Sequence, residues 1–139
     1  MIQAAGRIPS ATDSWLLPVL VEAALITPVQ VETLDPDAPV WSSVVEAGLV
    51  TDAAIVQAVA RQFRLEVANL ELADQHAALL VPESQARKHG VIPITADDRR
   101  IRVATADPRD FASEQAIGFI TGRDVEFLVT SPAQLSEKL

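Results

Sequence analysis

The sequence predicts an α+β fold: an N-terminal pair of helical hairpins, formed by an internal repeat, packed on a small mixed α/β subdomain of β-β-α-β-α order. Two observations support this prediction. A short apolar motif recurs 24 residues later in the first half, whereas strand-like and helix-like segments alternate in the second half. We therefore expect a helical subdomain over residues 1–64 and an α/β subdomain over residues 65–139.

The repeated motif is Leu20–Thr27 (LVEAALIT) and Val44–Thr51 (VVEAGLVT), with five of eight positions identical. Each copy predicts a short apolar helix, a turn and a second helix. Gly48 suits the left-handed conformation that follows a helix end, and Ala24 stands at the same place in the first copy. The repeat therefore predicts two related hairpins.

The second helix of each hairpin carries start signals. In the first copy Thr27 and Gln30 form a T-x-x-Q capping box around Pro28, which suits the first helical position. In the second copy Asp52 places negative charge near the helix start, where the helix dipole favours it. An apolar stripe then extends the second helix to Phe63.

Glycine, proline and capping residues divide the second half into elements. We expect first a short strand or extended link within Leu65–Leu72, then a helix from Pro82 to about His89 that Gly90 closes. Two strands follow: Val91–Ile94, with Pro93 at an edge or bulge, and Arg100–Thr105. A helix begun by Asp107–Asp110 and capped by Gly122 then leads to a strand over Val125–Val129 and to a last helix with Ser131 as its N-cap.

Composition excludes several classes of function. The chain has no cysteine, so disulfides and thiolate chemistry are excluded. His76 and His89 are its only histidines and neither has a second ligand at helical spacing, so we expect no metal site. Residues 1–60 hold seven acidic residues against Arg7 alone, which disfavours binding to nucleic acid or to an anionic membrane.

The sequence also gives no sign of membrane insertion. The longest apolar run, Trp15–Val21, is interrupted by Pro18 and is far shorter than the ~20 residues of a membrane-spanning helix. A signal peptide is a poor fit because Pro9 separates the lone Arg7 from that run. We expect a cytoplasmic protein.

We find no catalytic constellation and predict that the chain is not an enzyme. It has no phosphate-binding G-x-x-x-x-G-K-[ST] loop, and Gly118–Arg123 lacks the lysine. Asp97 and Asp98 are interpreted as a turn rather than an acid/base pair, and His89 as a helix-terminal residue. Two interpretations of the arginines remain open: a basic patch or an ordinary solvated face. These residues are Arg87, Lys88, Arg99, Arg100 and Arg102.

Four ordered segments in the second half resemble the N-terminal domain of the ATPases of type II secretion and type IV pilus assembly. They are a helix led by Pro82, the strand Val91–Pro93, the segment Ala104–Asp110 (ATADPRD) and the segment Ile117–Val125. The repeat extends the resemblance to the MshEN variety, whose two motifs R-L-G-x-x-L-V-x-x-G-x-I-x-x-x-x-L-x-x-A-L-x-x-Q bind cyclic di-GMP. The ligand-binding residues that this resemblance implies are Leu20, Val21, Val44, Val45, Gly48, Ile55 and Gln62.

The opening R-L-G of both motifs is missing. Trp15–Leu17 stands in its place in the first copy and Pro39–Trp41 in the second, so both arginines are absent. The resemblance implies a non-catalytic regulatory module that binds another protein: a membrane-platform component of a secretion or pilus system, or a motor ATPase. The alternative is a cyclic di-GMP sensor with a degenerate motif. We expect weak or absent cyclic di-GMP binding and no other cofactor.

Overall fold

The computed structural model describes residues 13–139. Arg7, Pro9 and the beginning of the predicted helical subdomain lie outside this described part. Within it the chain forms an α+β structure, as predicted. Its elements are α1 (Leu16–Glu22), α2 (Pro28–Glu32), α3 (Val40–Glu46), α4 (Asp52–Phe63), a 3₁₀ turn (Leu70–Leu72), α5 (Gln75–Leu80), α6 (Glu83–His89), β1 (Val91–Ala96), β2 (Arg100–Thr105), α7 (Phe111–Thr121), β3 (Asp124–Val129) and α8 (Pro132–Lys138).

Two compact units make up the chain, the first ending at Gln62 and the second beginning at Phe63. The first unit contains the two hairpins. The second contains the three strands, in the predicted β-β-α-β-α order from β1 to α8.

The backbone of the first unit repeats with the same offset as its sequence. The N–H groups of Leu25 and Leu49 donate to the carbonyls of Leu20 and Val44, at 3.0 Å in both copies. A bond from an N–H just past the helix end to the carbonyl five residues earlier is typical of a helix closed by a left-handed residue. The two turns are therefore built alike.

The left-handed residue differs between the copies. Gly48 has φ +74°, and Ala24 has φ +60° at the equivalent position. Alanine adopts this region only at a cost, because its Cβ crowds the following carbonyl oxygen. The backbone of the first turn therefore keeps the conformation of its counterpart without the glycine.

The capping box predicted for α2 is confirmed, and α4 has a threonine cap of its own. Thr27 Oγ1 accepts from the Gln30 N–H at 3.2 Å, and Gln30 Oε1 accepts from the Thr27 N–H at 2.9 Å. In the second copy Thr51 Oγ1 accepts from the Ala54 N–H at 3.1 Å. The helices nevertheless differ in length, because α2 has five residues and α4 has twelve.

The second unit is built around a three-stranded sheet of order β1-β2-β3, in which β1 and β2 are antiparallel and β2 and β3 are parallel. Pro93 lies on the edge strand β1, and the register shifts between Pro93 and Thr95. This placement agrees with the predicted edge or bulge.

Apolar side chains cover both faces of the sheet. One face packs Ile101 and Val103 with Ile117 of α7 and Phe127 of β3. The other face holds a second cluster: Ile92, Ile94, Ala104, Leu128 and Leu135. Along β2 Ile101 and Val103 are buried, and Ala104 is buried too although it shares its face with Arg100 and Arg102. The sheet is therefore enclosed on both faces at that end of the strand.

Three features of the second unit differ in detail from the prediction. Within Leu65–Leu72 the strand is reduced to one isolated bridge, Val67 to Val129. The helix α5 was not predicted, although Asp74 caps it by accepting from the Ala77 N–H at 2.9 Å. In α6 Pro82 is the N-cap itself, one position before the helix begins.

Candidate functional site

The ligand-binding residues implied by the motif do not share one surface. Leu20, Val44 and Ile55 are completely buried and form part of the hydrophobic core. Val21 and Val45 are half-buried, and Gly48 forms a turn. These positions mainly hold the hairpins together, which is what apolar residues at helical spacing do in any packed hairpin.

One of the seven, Gln62, lines an open groove of about 430 Å³ in the first unit. The groove runs between the C-terminal end of α1 and one face of α4. Its walls come from both copies of the repeat: Val19, Glu22, Ala23 and Leu25 from the first, and Ala54, Gln57, Ala58, Arg61 and Gln62 from α4. A ligand in this groove would therefore contact both copies.

Small and polar side chains alternate along the α4 wall of the groove. Ala54 and Ala58 line the groove with small apolar side chains, and Gln57 and Gln62 line it with amide donors and acceptors. Arg61 and Glu22 supply one charge of each sign. This set suits a flat ligand with polar edges better than a strongly anionic one, because Glu22 opposes the charge of Arg61.

The tryptophan at the start of the second motif is not available to a ligand. Trp41 is 5% exposed, and its Nε1–H donates to Asp52 Oδ1 at 2.8 Å. Asp13 accepts from the N–H groups of Val40 and Trp41, at 2.9 and 3.1 Å. Where the R-L-G is missing, the chain therefore has the start of α3, and the carboxylate of Asp13 caps its first N–H groups.

In the second unit His89, Ser113 and Asp110 lie in hydrogen-bond contact. Ser113 Oγ donates to Asp110 Oδ2 at 2.7 Å and lies 2.9 Å from His89 Nδ1. The serine stands between the other two residues and is 4% exposed, so it cannot act as an activated nucleophile. The three side chains join the end of α6 to the start of α7.

Asp97 and the arginines near it also have structural roles. Asp97 Oδ1 accepts from the N–H groups of Arg99 and Arg100, each at 2.8 Å, which confirms the turn interpretation. These bonds lower the pKa of Asp97 below its ordinary value. Arg102 bonds to Glu126 at 3.1 Å, and also contacts Glu66. Ion pairs thus neutralise part of the positive charge of these arginines, which the sequence analysis interpreted as either a basic patch or an ordinary solvated face.

Within residues 13–139 no group of three histidine, cysteine, aspartate or glutamate side chains could hold a metal ion. Nor is any helix of this part long and apolar enough to cross a membrane.

Comparison with known proteins gives matches over most of the chain. The family model described as the MshEN domain matches residues 50–139. The type IV pilus assembly ATPase PilB of Myxococcus xanthus (strain DK1622) is 24% identical over 102 residues, or 72% of this chain. The aligned region is 18% of PilB, so the chain spans about a fifth of the length of this relative.

Solved structures also match most of the chain. A structure of MshE with cdg superposes with a TM-score of 0.72 at 22% identity and covers 88% of this chain and 94% of that chain. The N-terminal domain of XpsE gives a TM-score of 0.63 at 16% identity, with 88% and 89% covered. A second crystal form of that domain gives 0.54 at 13% identity, with 91% and 93% covered.

Proposed function

Because the chain belongs to the MshEN domain family, we propose that it is a non-catalytic regulatory module that binds a protein of a type II secretion or type IV pilus system. The partner is a membrane-platform component or a motor ATPase. The observation that carries this proposal is the fold match to MshE and to the N-terminal domain of XpsE at TM-scores of 0.72 and 0.63. The proposal is supported by the absence of a phosphate-binding loop from the 139 residues.

Two measurements test this role. The purified chain should not hydrolyse ATP, because phosphoryl transfer needs a positioned lysine and Mg²⁺ ligands. Turnover above a buffer blank that survives repurification would contradict this.

A tagged chain expressed in the native host should co-purify with a secretion or pilus protein. The control bait is an unrelated tagged protein with the same net charge of −8, which accounts for charge-driven capture. If both baits capture the same proteins, the interaction role is wrong.

A cyclic di-GMP sensor is the second candidate, favoured by one observation. Arg61 and Gln62 line a groove shared by both copies of the repeat, and a structural neighbour is MshE with this nucleotide. Against it, the motif arginines are absent and Glu22 faces the same groove. Losing two charge-assisted contacts of about 1.5–3 kcal/mol each would weaken binding by roughly two to four orders of magnitude. We therefore expect weak or absent binding.

Calorimetric titration with cyclic di-GMP at moderate salt distinguishes the candidates. Arg61→Ala removes the guanidinium in the groove, and Arg87→Ala is the matched control because it removes an arginine from α6. Low-micromolar binding by the wild-type chain that is lost in Arg61→Ala and kept in Arg87→Ala would make the sensor role the better one. Absent binding in all three proteins supports the protein-interaction role.

A further inference from the structure

We propose that the outer face of α7 is a self-association surface, on which a second copy of this chain packs antiparallel about a two-fold axis at Gln115. This α7 face consists of Phe111, Ala112, Gln115, Gly118 and Phe119, all exposed except the half-buried Gly118. The inference goes beyond the proposed function and holds whether or not the chain captures a secretion or pilus protein.

Helix α7 carries apolar side chains on two opposite sides. One side packs on the sheet, where Ile117 is completely buried and Ser113 and Thr121 are nearly so. On the other side Phe111 is 66% exposed and Phe119 is 92% exposed. A surface helix normally has polar side chains opposite its buried stripe, and exposed apolar patches often mark sites of protein contact. The helix therefore has a second apolar side that the described part of the chain leaves uncovered.

The five residues of the α7 face are arranged symmetrically around Gln115. An α-helix turns by about 100° per residue, so Phe111 and Phe119 project about 40° to either side of Gln115. By the same geometry Ala112 and Gly118 project about 60° to either side of it. A two-fold interface needs such a self-complementary face, because residue i of one copy contacts residue j of the other while j contacts i.

Antiparallel packing of two α7 helices brings matching positions together. With the two Gln115 residues opposite each other on the axis, Phe111 of each copy faces Phe119 of the other. Two aromatic pairs form in this way, and such pairs are favourable beyond the area that they bury. Ala112 faces Gly118, and these small residues allow close approach of the helices. The Gln115 amides each have donors and an acceptor, so they can hydrogen-bond to each other.

The charges at the α7 face fit this orientation. None of its five residues is charged, so no like charges meet at the axis. Arg109 is exposed and lies just before α7, where the positive end of the helix dipole disfavours a cation. In the antiparallel pair Arg109 lies near the C-terminal end of the other α7, where the dipole favours a cation. The second copy thus supplies a favourable environment for this arginine.

The area of the α7 face indicates a weak dimer. A phenylalanine side chain buries about 150–250 Å² when it is fully covered, so the four exposed rings of the pair contribute roughly 500–800 Å². The smaller residues of both copies bring the total near the ~1,000 Å² at which specific interfaces begin. We therefore expect a reversible dimer that forms at high protein concentration.

Sedimentation equilibrium of the full chain tests self-association. The protein is measured from about 10 μM to about 1 mM, the range suited to a small interface. Moderate salt screens the repulsion between two copies of net charge −8. We expect a monomer–dimer equilibrium, because a two-fold interface closes on itself. A chain that stays monomeric at the highest concentration, or that forms a continuing series of larger species, would overturn the proposal.

A pair of alanine variants tests whether the α7 face forms the dimer. Phe119→Ala removes both aromatic pairs and should raise the dimer Kd by roughly 5- to 150-fold. Leu79→Ala is the matched control, because Leu79 is a large apolar residue of α5 that is 78% exposed. Circular dichroism should show unchanged folding of both variants, since both side chains are exposed. An equal Kd of the two variants would overturn the assignment.

A single introduced thiol tests the position of the axis independently. The chain has no cysteine, so Gln115→Cys places one thiol in each copy. Dissolved oxygen with a copper catalyst should oxidise the two opposed thiols to an intermolecular disulfide, which requires Cα atoms within about 7 Å. Ala133→Cys is the control, because Ala133 is exposed on α8 and lies outside the α7 face. Cross-linking of Gln115→Cys that is no faster than that of the control would overturn the axis.

The same variants separate this inference from the proposed function. If the chain dimerises through α7 but no host protein co-purifies with it, the self-association surface stands and the interaction role is wrong. If the chain is monomeric and Phe119→Ala loses a co-purifying host protein, the α7 face binds that protein. Self-association is then wrong and the interaction role stands.

Discussion

Ala24 and Gly48 are equivalent residues in two copies of one turn, with φ of +60° and +74°. The left-handed conformation is sterically unfavourable for alanine and not for glycine, so the backbones of the two copies differ in intrinsic stability. The space around Gly48 is open, with no atom within 4 Å of the place that a Cβ would occupy. Any penalty there is therefore a backbone effect rather than a clash.

Opposite substitutions at these residues should have opposite effects. Ala24→Gly should raise the free energy of unfolding by about 0.5–1 kcal/mol, the relief of strain less the greater freedom of the unfolded chain. Gly48→Val should lower it by about 1–2 kcal/mol or more. Urea denaturation measures both. Ala23→Gly is the control, because Ala23 has φ −77° and glycine should not stabilise it. Stabilisation by both glycines would contradict the argument.

Asp97 gives a prediction about acid. Its pKa is lowered because the N–H groups of Arg99 and Arg100 donate to the carboxylate. The resulting stabilisation of the turn is present above the unfolded-state pKa of about 3.9, and it is lost as pH falls through the lower folded-state pKa. An NMR titration should place the Asp97 midpoint below about 3.9, with the Arg100 amide following it. In the Asp97→Asn variant the chemical shift of the Arg100 amide should no longer change at this pH. A wild-type Asp97 midpoint above the ordinary pKa would refute the proposed effect of the two N–H groups.

At the scale of elements, α3 depends on a residue far away in sequence. Asp13 accepts from the first two N–H groups of the helix, 27 and 28 residues later. Since Pro39, the residue before the helix, makes no side-chain cap, Asp13 supplies the acceptor that it lacks. The carboxylate also favours the positive end of the helix dipole.

Removal of this cap should destabilise the first unit. Asp13→Ala should lower the free energy of unfolding by about 0.5–2 kcal/mol, the usual cost of losing an N-cap. Chemical denaturation at neutral pH measures the difference. The adjacent variant Ser14→Ala is the control, since the Ser14 side chain is exposed and only its carbonyl is bonded. Equal stabilities of the two variants would show that the Asp13 contacts contribute little.

Local signals in the sequence predicted most of the elements correctly. Thr27 with Gln30, and Ser131, have their bonding partners three residues away, so the pattern alone identifies them. The Asp13 cap and the Trp41–Asp52 bond could not be predicted, because they depend on how the hairpins fold together. Ala24 was interpreted as a departure from glycine, although it keeps the glycine conformation.

The sequence determines the candidate site less closely than the fold. Positions that match a binding motif and positions that pack a hairpin have the same apolar spacing, so Leu20, Val44 and Ile55 could not be separated from the core. Gln62 does line the groove, and Arg61 beside it lines the groove as well.

For the whole molecule, the predicted resemblance to the N-terminal domains of secretion and pilus ATPases is confirmed by the family match and by the MshE and XpsE structures. We propose that the helical and α/β subdomains differ in autonomy. Both apolar clusters of the sheet are built from residues within the second unit. The first three described helices of the first unit have seven residues or fewer, and short hairpins bury little apolar surface alone.

Separate expression of the two subdomains tests this proposal. Residues 65–139 should show a cooperative thermal transition, whereas residues 1–64 should show none. Circular dichroism monitors both, with the full chain as control. A sharp transition in the fragment 1–64 would show that the hairpins need no support, and a broad one in 65–139 would show that the sheet does.

The shared hydrogen bonds of the two turns show how the first hairpin corresponds to the second. The family match begins at Val50, inside the second copy, while the structural matches cover 88% of the chain. The donors Leu25 and Leu49 keep one geometry although the left-handed residue is alanine in one copy and glycine in the other. Within this chain the two hairpins therefore correspond through the shared hydrogen bond and the 24-residue spacing of Thr27 and Thr51, rather than through the glycine.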